Sequence, residues 1–321
     1  MNLKVGVLMD PIANIAIHKD TTFAMLLALQ ARQHEVYYLE PADIFLRNEK
    51  ILGSMRRLQV ADDPSQWFNL SESEIKPLHA LDVLLMRKDP PFNMSYVYLT
   101  YLLELAEKQG LFVVNKPASL RDANEKLFTG WFPHCTPKTL VTSRKAILQE
   151  FIREQKEVVI KPLGAMAGKS IFYLTVNDPN IPVVIETMTA NGHQLVMAQR
   201  FIPEVKSGDK RIILIDGEPI PYTLARIPPK GDFRGNLARG AKGEGRELTD
   251  RDRWICEQVG PTLRKKGLWF VGLDIIGDYL TEINVTSPTG VRELQAQFDV
   301  DIAGQFIAFL ETKYATTTDI E

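Results

Sequence analysis

Gly272-Leu273-Asp274-Ile275-Ile276-Gly277-Asp278-Tyr279-Leu280-Thr281-Glu282-Ile283-Asn284-Val285 reads as two apolar strands folded about Gly277-Asp278. Asp274, Glu282 and Asn284 interrupt positions that an apolar pattern would fill. Side chains alternate faces along a strand, so Glu282 and Asn284 point the same way. A hairpin loop with an odd number of residues sets Asp274 opposite Glu282 on that face, whereas a two-residue loop pairs it with Thr281. The odd loop is the expectation. Two carboxylates on one face with little base nearby are costly unless a cation joins them. Their oxygens, with the Asn284 amide, suit Mg²⁺, which bridges carboxylates to nucleotide phosphates. The competing reading is a solvent-facing polar edge of a sheet.

Upstream, Val158-Val159-Ile160-Lys161-Pro162-Leu163-Gly164-Ala165-Met166-Ala167-Gly168-Lys169-Ser170 places a lysine at the end of an apolar strand, followed by a loop of small residues. Backbone N–H groups of such a loop can close on phosphate oxygens while the ammonium neutralises their charge. It is not a Walker loop, because Gly164 and Gly168 are too close together and a strand, not a helix, follows. The bland alternative is a hairpin with a solvated lysine. Residues 226–246 are rich in glycine, lysine and arginine, the composition of a mobile cationic lid or of an ordinary surface loop. Weaker pieces point the same way. Lys126 lies in an expected helix, Gln199 offers an amide to an adenine edge, Asp209 a carboxylate to a ribose hydroxyl, and Arg211 a cation to phosphate. Arg87-Lys88-Asp89-Pro90-Pro91-Phe92 follows an expected strand, at the end of a sheet where open α/β folds bind ligands.

The rest of the chain supplies the scaffold. Strands are expected at 5–9, 35–39, 81–86 and 111–114, and helices at 21–32 (capped by Asp20) and 96–109, an alternation that implies a parallel sheet covered by helices. Residues 47–76 show no assignable pattern. Near residue 120 the character changes to a helix over 120–132, an amphipathic helix over 144–155, and short strands joined by glycine-bearing turns.

The composition excludes several classes. With 38 basic and 40 acidic residues, net charge −2, the chain has no global field for nucleic acid or an anionic membrane. Cys135 and Cys256 are isolated, which speaks against a disulfide framework or a zinc site. No histidine sits beside an evident nucleophile, and the four tryptophans stand in apolar contexts that suggest core positions. The first apolar run meets Asp10 too early for a signal peptide, so cytoplasmic residence is expected.

The order of these pieces (phosphate-binding lysine and loop, adenine-reading segment, basic lid, then Asp…Glu-x-Asn) resembles the ATP-grasp superfamily. Met9-Asp10-Pro11-Ile12-Ala13-Asn14, Asn115-Lys116-Pro117, Asn124-Glu125-Lys126-Leu127, Gly208-Asp209-Lys210-Arg211, Arg234-Gly235-Asn236-Leu237 and Thr281-Glu282-Ile283-Asn284-Val285-Thr286-Ser287-Pro288-Thr289 are similar to the bacterial glutathione synthetase family within it. The resemblance implies an α/β (α+β) chain: an N-terminal pre-ATP-grasp α/β domain over residues 1–120, a small ATP-grasp lobe over 121–203 and a catalytic lobe over 204–315. It implies that ATP phosphorylates the cysteinyl carboxylate of γ-glutamylcysteine and that glycine's amine displaces phosphate. Lys126, Lys161, Gly164 and Gly168 would meet the ATP phosphates, Gln199 and the backbone at Phe201 the adenine, and Asp209 the ribose. Asp274, Glu282 and Asn284 would hold Mg²⁺, or Mn²⁺ in its place. Arg211 and Arg226 would stabilise the tetrahedral oxyanion, and Arg87, Arg234, Ser287 and Thr289 would bind the other substrates. A homotetramer is implied as well. The loop carries Ala165, Met166 and Ala167 where relatives have more glycine, and Gly290 stands where some have cysteine. The rivals are an ATP-grasp ligase for other substrates and a nucleotide-binding module without catalysis.

Overall fold

Three strands beyond those the sequence pattern predicts extend the N-terminal sheet past its parallel core. The computed structural model describes residues 1–166, 168–229, 231, 235 and 240–318. The first region runs β1 (Lys4–Leu8), α1 (Thr21–Ala31), β2 (Glu35–Leu39), β3 (Ile44–Arg47), β4 (Lys50–Val60), β5 (Phe68–Pro77), β6 (Val83–Met86), α2 (Met94–Glu107), β7 (Phe112–Val114) and α3 (Pro117–Asp122). β2, β1, β6 and β7 pair in parallel as expected. β4 adds antiparallel to β2 and carries β3 and β5, making a mixed seven-stranded sheet. Asp20 caps α1 by accepting the Phe23 N–H at 2.7 Å.

The middle region forms a four-stranded antiparallel sheet from β8 (Thr139–Thr142), β9 (Glu157–Pro162), β10 (Phe172–Thr175) and β11 (Val196–Arg200), with α4 (Lys145–Gln155) and α5 (Ile181–Met188). Between α3 and β8 the expected helix over 120–132 is interrupted. The Asn124 carboxamide accepts the N–H groups of Lys126 and Leu127 at 3.2 and 2.9 Å, a local turn that competes with helix. Only a short 3₁₀ turn, Leu127–Trp131, follows. Trp131 is 60% exposed, so it is not the core residue its apolar setting suggested.

The last region contains β12 (Asp209–Ile215), β13 (Glu218–Ile227), β14 (Lys242–Glu247), α6 (Asp250–Lys266), β15 (Phe270–Ile276), β16 (Tyr279–Asn284), α7 (Val291–Gln297) and α8 (Ile302–Thr318). The strands form one antiparallel sheet ordered β14-β13-β12-β15-β16. α6 starts at a Thr249/Asp252 capping box and stops at Gly267, whose φ of 67° is the left-handed turn that glycine takes without strain.

The middle sheet has its own core, built from residues such as Leu148, Ile152, Ile160 and Ile185, whereas the first and last sheets share two apolar clusters. Asn115, buried at the end of β7, joins these two sheets: Nδ2 donates to Phe270 O and Val285 O, and Oδ1 accepts from the N–H groups of Trp269 and Phe270, all at 2.7–3.0 Å. No helix among the described residues is long and apolar enough to cross a membrane.

Candidate active site

The hairpin of β15 and β16 does set Asp274 opposite Glu282, but by another route than an odd loop. Its turn is the two-residue Gly277-Asp278, so Ile276 faces Tyr279 and Ile275 faces Leu280. An irregularity at Thr281 then inserts one extra residue in β16, and this β-bulge restores the Asp274–Glu282 pairing. The Thr281 hydroxyl donates to Asp274 O at 3.1 Å, and the Thr281 carbonyl accepts from Lys161 Nζ at 3.2 Å. The bulge thus aims a backbone oxygen at the lysine that ends β9.

Lys161 is buried, and burial lowers its pKa while the nearby Glu282 carboxylate pulls it back up. Lys126 donates to Ala165 O at 2.6 Å and lies 3.3 Å from Glu282 Oε1. Asn124 Nδ2 donates to Leu163 O at 3.1 Å. These two residues tie the small-residue loop to the carboxylate face of the hairpin. The cleft between the middle and last sheets is bordered by Lys126, Lys161, Gly168, Asp209, Asp274 and Glu282. Its mixed apolar and charged walls suit a nucleotide.

Asp274 is fully engaged. Arg211 Nε and Nη2 donate to its two oxygens at 2.5 and 3.0 Å, and Arg226 Nη2 lies 2.9 Å from Oδ2. Burial by itself would raise this carboxyl, but the two guanidiniums outweigh it and hold Asp274 well below the usual carboxylate range. Arg226 also donates to Asp209 Oδ2 at 2.6 Å. Asp209 Oδ1 is buried without a hydrogen-bond partner among the described residues. Burial pushes the Asp209 carboxyl up, and Arg226 pulls it back only in part. An orphaned buried acceptor bordering a cleft is ready for a ligand hydroxyl.

Other expected residues divide between the cleft and its surroundings. Gln199 borders the cleft and donates Nε2 to Thr139 Oγ1 at 3.0 Å, leaving its carbonyl oxygen for a ligand amine. Phe201 also borders it, but its N–H is spent on Glu157 O at 3.0 Å, which leaves the carbonyl as its backbone contact. Gly168, at φ 68°, borders the cleft; Gly164 does not, and a Cβ there would meet nothing. Ser287, Thr289 and Asn284 border a second, adjoining cavity together with Arg211, Arg226 and Glu282. Arg87 lies beneath that cavity: its Nε donates to Thr22 Oγ1 at 3.1 Å and its Nη2 to Pro288 O at 3.0 Å. Arg234 and the central part of the expected lid, residues 230, 232–234 and 236–239, lie outside the described residues. Sequence reasoning passed over Lys169, which borders the cleft between the middle and last sheets, and Glu125, which borders the second cavity. The signal for Glu125 is its place directly before Lys126.

Models of the prokaryotic glutathione synthetase N-terminal domain and of its ATP-grasp domain match residues 3–121 and 125–299. The chain belongs to the prokaryotic glutathione synthetase family. It is 55% identical to a glutathione synthetase of Pseudomonas putida over 98% of this chain and 99% of that protein. It is 54% identical to one of Shewanella oneidensis over 97% and 99% respectively. The fold is similar to that of the D-cycloserine synthetase DcsG, with a TM-score of 0.68 at 14% identity, covering 97% of this chain and 99% of the other. Membership makes the chain an ATP-dependent ligase of glutathione biosynthesis that uses a divalent metal.

Proposed function

We propose that this ligase binds Mg-ATP in the cleft between the middle and last sheets and γ-glutamylcysteine and glycine in the adjoining cavity, and forms the amide through an acyl phosphate. The observation that carries the placement is the convergence of Lys126 and Lys161 on the face that holds Asp274 and Glu282. Lys126, Lys161 and the loop ending at Gly168 hold the phosphates, while Gln199 and the Phe201 carbonyl read the adenine. Asp209 Oδ1 takes a ribose hydroxyl.

The metal fits the donors present. Asp274 and Glu282 face each other, and Asn284 turns its Nδ2 to Gly272 O at 3.2 Å, freeing its oxygen. Among the described residues no three His, Cys, Asp or Glu side chains cluster, but Mg²⁺ needs only one or two carboxylates beside substrate phosphates. Mn²⁺ suits the same oxygens. Bound there, the ion would neutralise charge on the transferring phosphoryl group.

The cysteinyl carboxylate attacks the γ-phosphorus and ADP departs. Glycine's ammonium gives up a proton, the neutral amine attacks the acyl carbon, and phosphate leaves, accepting the proton shed by the new amide nitrogen. Arg211 and Arg226, already fixed at the border of the second cavity, stabilise the oxyanion of the tetrahedral intermediate without reorganising. Ser287 and Thr289 orient the acyl donor, with Arg87 bracing their turn from below. Arg234 contributes from the lid. No enzyme nucleophile is required.

The separate core of the middle sheet supports reading residues 121–203 as a lobe that moves against the rest (1–120 with 204–315) to close the cleft. Met94, Tyr98, Tyr101 and Leu105 form an exposed apolar stripe on α2, which supports a homo-oligomer, in accord with a tetramer. Sedimentation of a Tyr98→Asp variant as a smaller species than the parent checks this. Cytoplasmic residence belongs to the same reading.

Incubation with Mg-ATP, γ-glutamylcysteine and glycine, followed by mass spectrometry, is expected to yield the tripeptide and equimolar ADP. Nucleotide binding without ADP release would favour a non-catalytic module. ADP release with other amino-acid or peptide acceptors only would favour a ligase of different specificity.

A further inference from the structure

Glu125 is a buried carboxylate that the steps above do not use. It is 8% exposed and fixed by its neighbours: Oε1 accepts the N–H of Val285 at 2.9 Å, the N–H of Thr286 at 3.1 Å and the Thr286 hydroxyl at 2.9 Å. All three bonds fall on one oxygen. Oε2 takes none from the described residues, and Glu125 borders the second cavity.

The other carboxylates of that wall are accounted for. Asp274 is held by Arg211 and Arg226, Glu282 faces Lys126, and Asp89 is exposed at the mouth. Glu125 is in no ion pair among the described residues. A carboxylate taken out of water without a cation is costly, and burial pushes its pKa up accordingly. The cavity is therefore lined by charges of both signs: the guanidiniums of Arg211 and Arg226, and a carboxylate with no cation of its own among the described residues.

We propose that Glu125 Oε2 is the seat for the ammonium group of the incoming glycine, with the amino acid's carboxylate toward the arginine side. The proposal rests on the ligase reading given above and names the residue that recognises its amine substrate. A small zwitterion is complementary to such a cavity, and its nitrogen would lie beside the Lys126–Glu282 pair, on the side where the acyl phosphate forms. The alternative source of an ammonium, the α-amino group of the γ-glutamyl residue, stands a whole side chain away from the reacting carboxyl.

Glu125→Gln keeps an oxygen for the two N–H groups and the hydroxyl but removes the charge. The KM for glycine is expected to rise by about tenfold or more, the loss of one charge-assisted hydrogen bond. The KM values for ATP and γ-glutamylcysteine should not move. Hydroxylamine, uncharged at neutral pH, needs no ammonium seat, so hydroxamate formation from ATP and γ-glutamylcysteine should persist in the variant. Thr286→Val, which removes one bond to Oε1 and leaves the charge, should leave the glycine KM as it was. A rise confined to the γ-glutamylcysteine KM, no change in any KM, or equal loss of glycine and hydroxylamine turnover would each overturn the proposal. Should Glu125→Gln not fold, Glu125→Asp withdraws the charge by one methylene and is read by the same two nucleophiles. Absence of hydroxamate with the parent enzyme would instead sink the acyl phosphate reading itself.

Discussion

Glu282→Gln is expected to lower kcat by about 10³ or more while leaving the melting temperature almost where it was. The two halves of this expectation have separate causes. Glutamine matches glutamate in shape, and the Glu282 side chain is 23% exposed and 3.3 Å from Lys126. A partly exposed pair at that distance contributes only about 0–1 kcal/mol, so its loss does not threaten the fold. The chemistry is more sensitive. Glu282 is the one carboxylate on the hairpin face not already clamped by arginine, and it borders both the cleft that holds Lys126 and Lys161 and the second cavity. Without its charge, the only carboxylate left on that face to help the phosphates hold a divalent ion is Asp274, already paired with two arginines. Mn²⁺ binding, followed by the ion's electron paramagnetic resonance signal with ATP present, should weaken in parallel with kcat. Retained Mn²⁺ affinity beside lost turnover would contradict the role given to Glu282.

Asp274→Ala should behave differently, losing activity and about 3–5 kcal/mol of stability together. The carboxylate lies between two buried guanidiniums, and its removal leaves Arg211 and Arg226 with an uncompensated charge that Asp209 alone cannot balance. Urea titration of the two proteins measures the gap. Its pH dependence has a definite sign. The folded Asp274 carboxyl is held below its unfolded value, so its contribution is complete above the ordinary carboxylate pKa of about 3.9 and is lost only as pH falls below it. The gap should be constant through neutral and mildly acid pH and should narrow only in strong acid. A gap that closes near pH 6 would show that Asp274 is not clamped as described.

The legible parts of this fold were those where local pattern and tertiary demand agree. Asp20 followed by Thr21 and Phe23 marks a helix start whatever the chain packs against, and the apolar run Val83–Met86 has no stable place but a buried strand. β4 and β5 escaped because their information is split. Ile51, Met55, Leu58 and Val60 are buried, but a register shift between Arg56 and Leu58 breaks the alternation, and β5 is polar and exposed along most of its length. The Asp274–Glu282 pairing was correct on a mistaken premise. A sequence cannot announce the bulge at Thr281, since the extra residue is chosen by what the Thr281 hydroxyl and carbonyl find in Asp274 O and Lys161. The carboxylates and lysines of the site could be read from residue type and position on strands. That Asp274 is shared by two arginines, and that Glu125 takes three bonds on one oxygen, depend on distances between segments far apart in the chain.

The most direct test follows the oxygen. With γ-glutamylcysteine labelled with ¹⁸O in the cysteinyl carboxylate, ATP and glycine, transfer of the γ-phosphoryl group to that carboxylate requires one ¹⁸O atom in the phosphate released with each tripeptide. Phosphate free of ¹⁸O, alongside tripeptide formation, would contradict it.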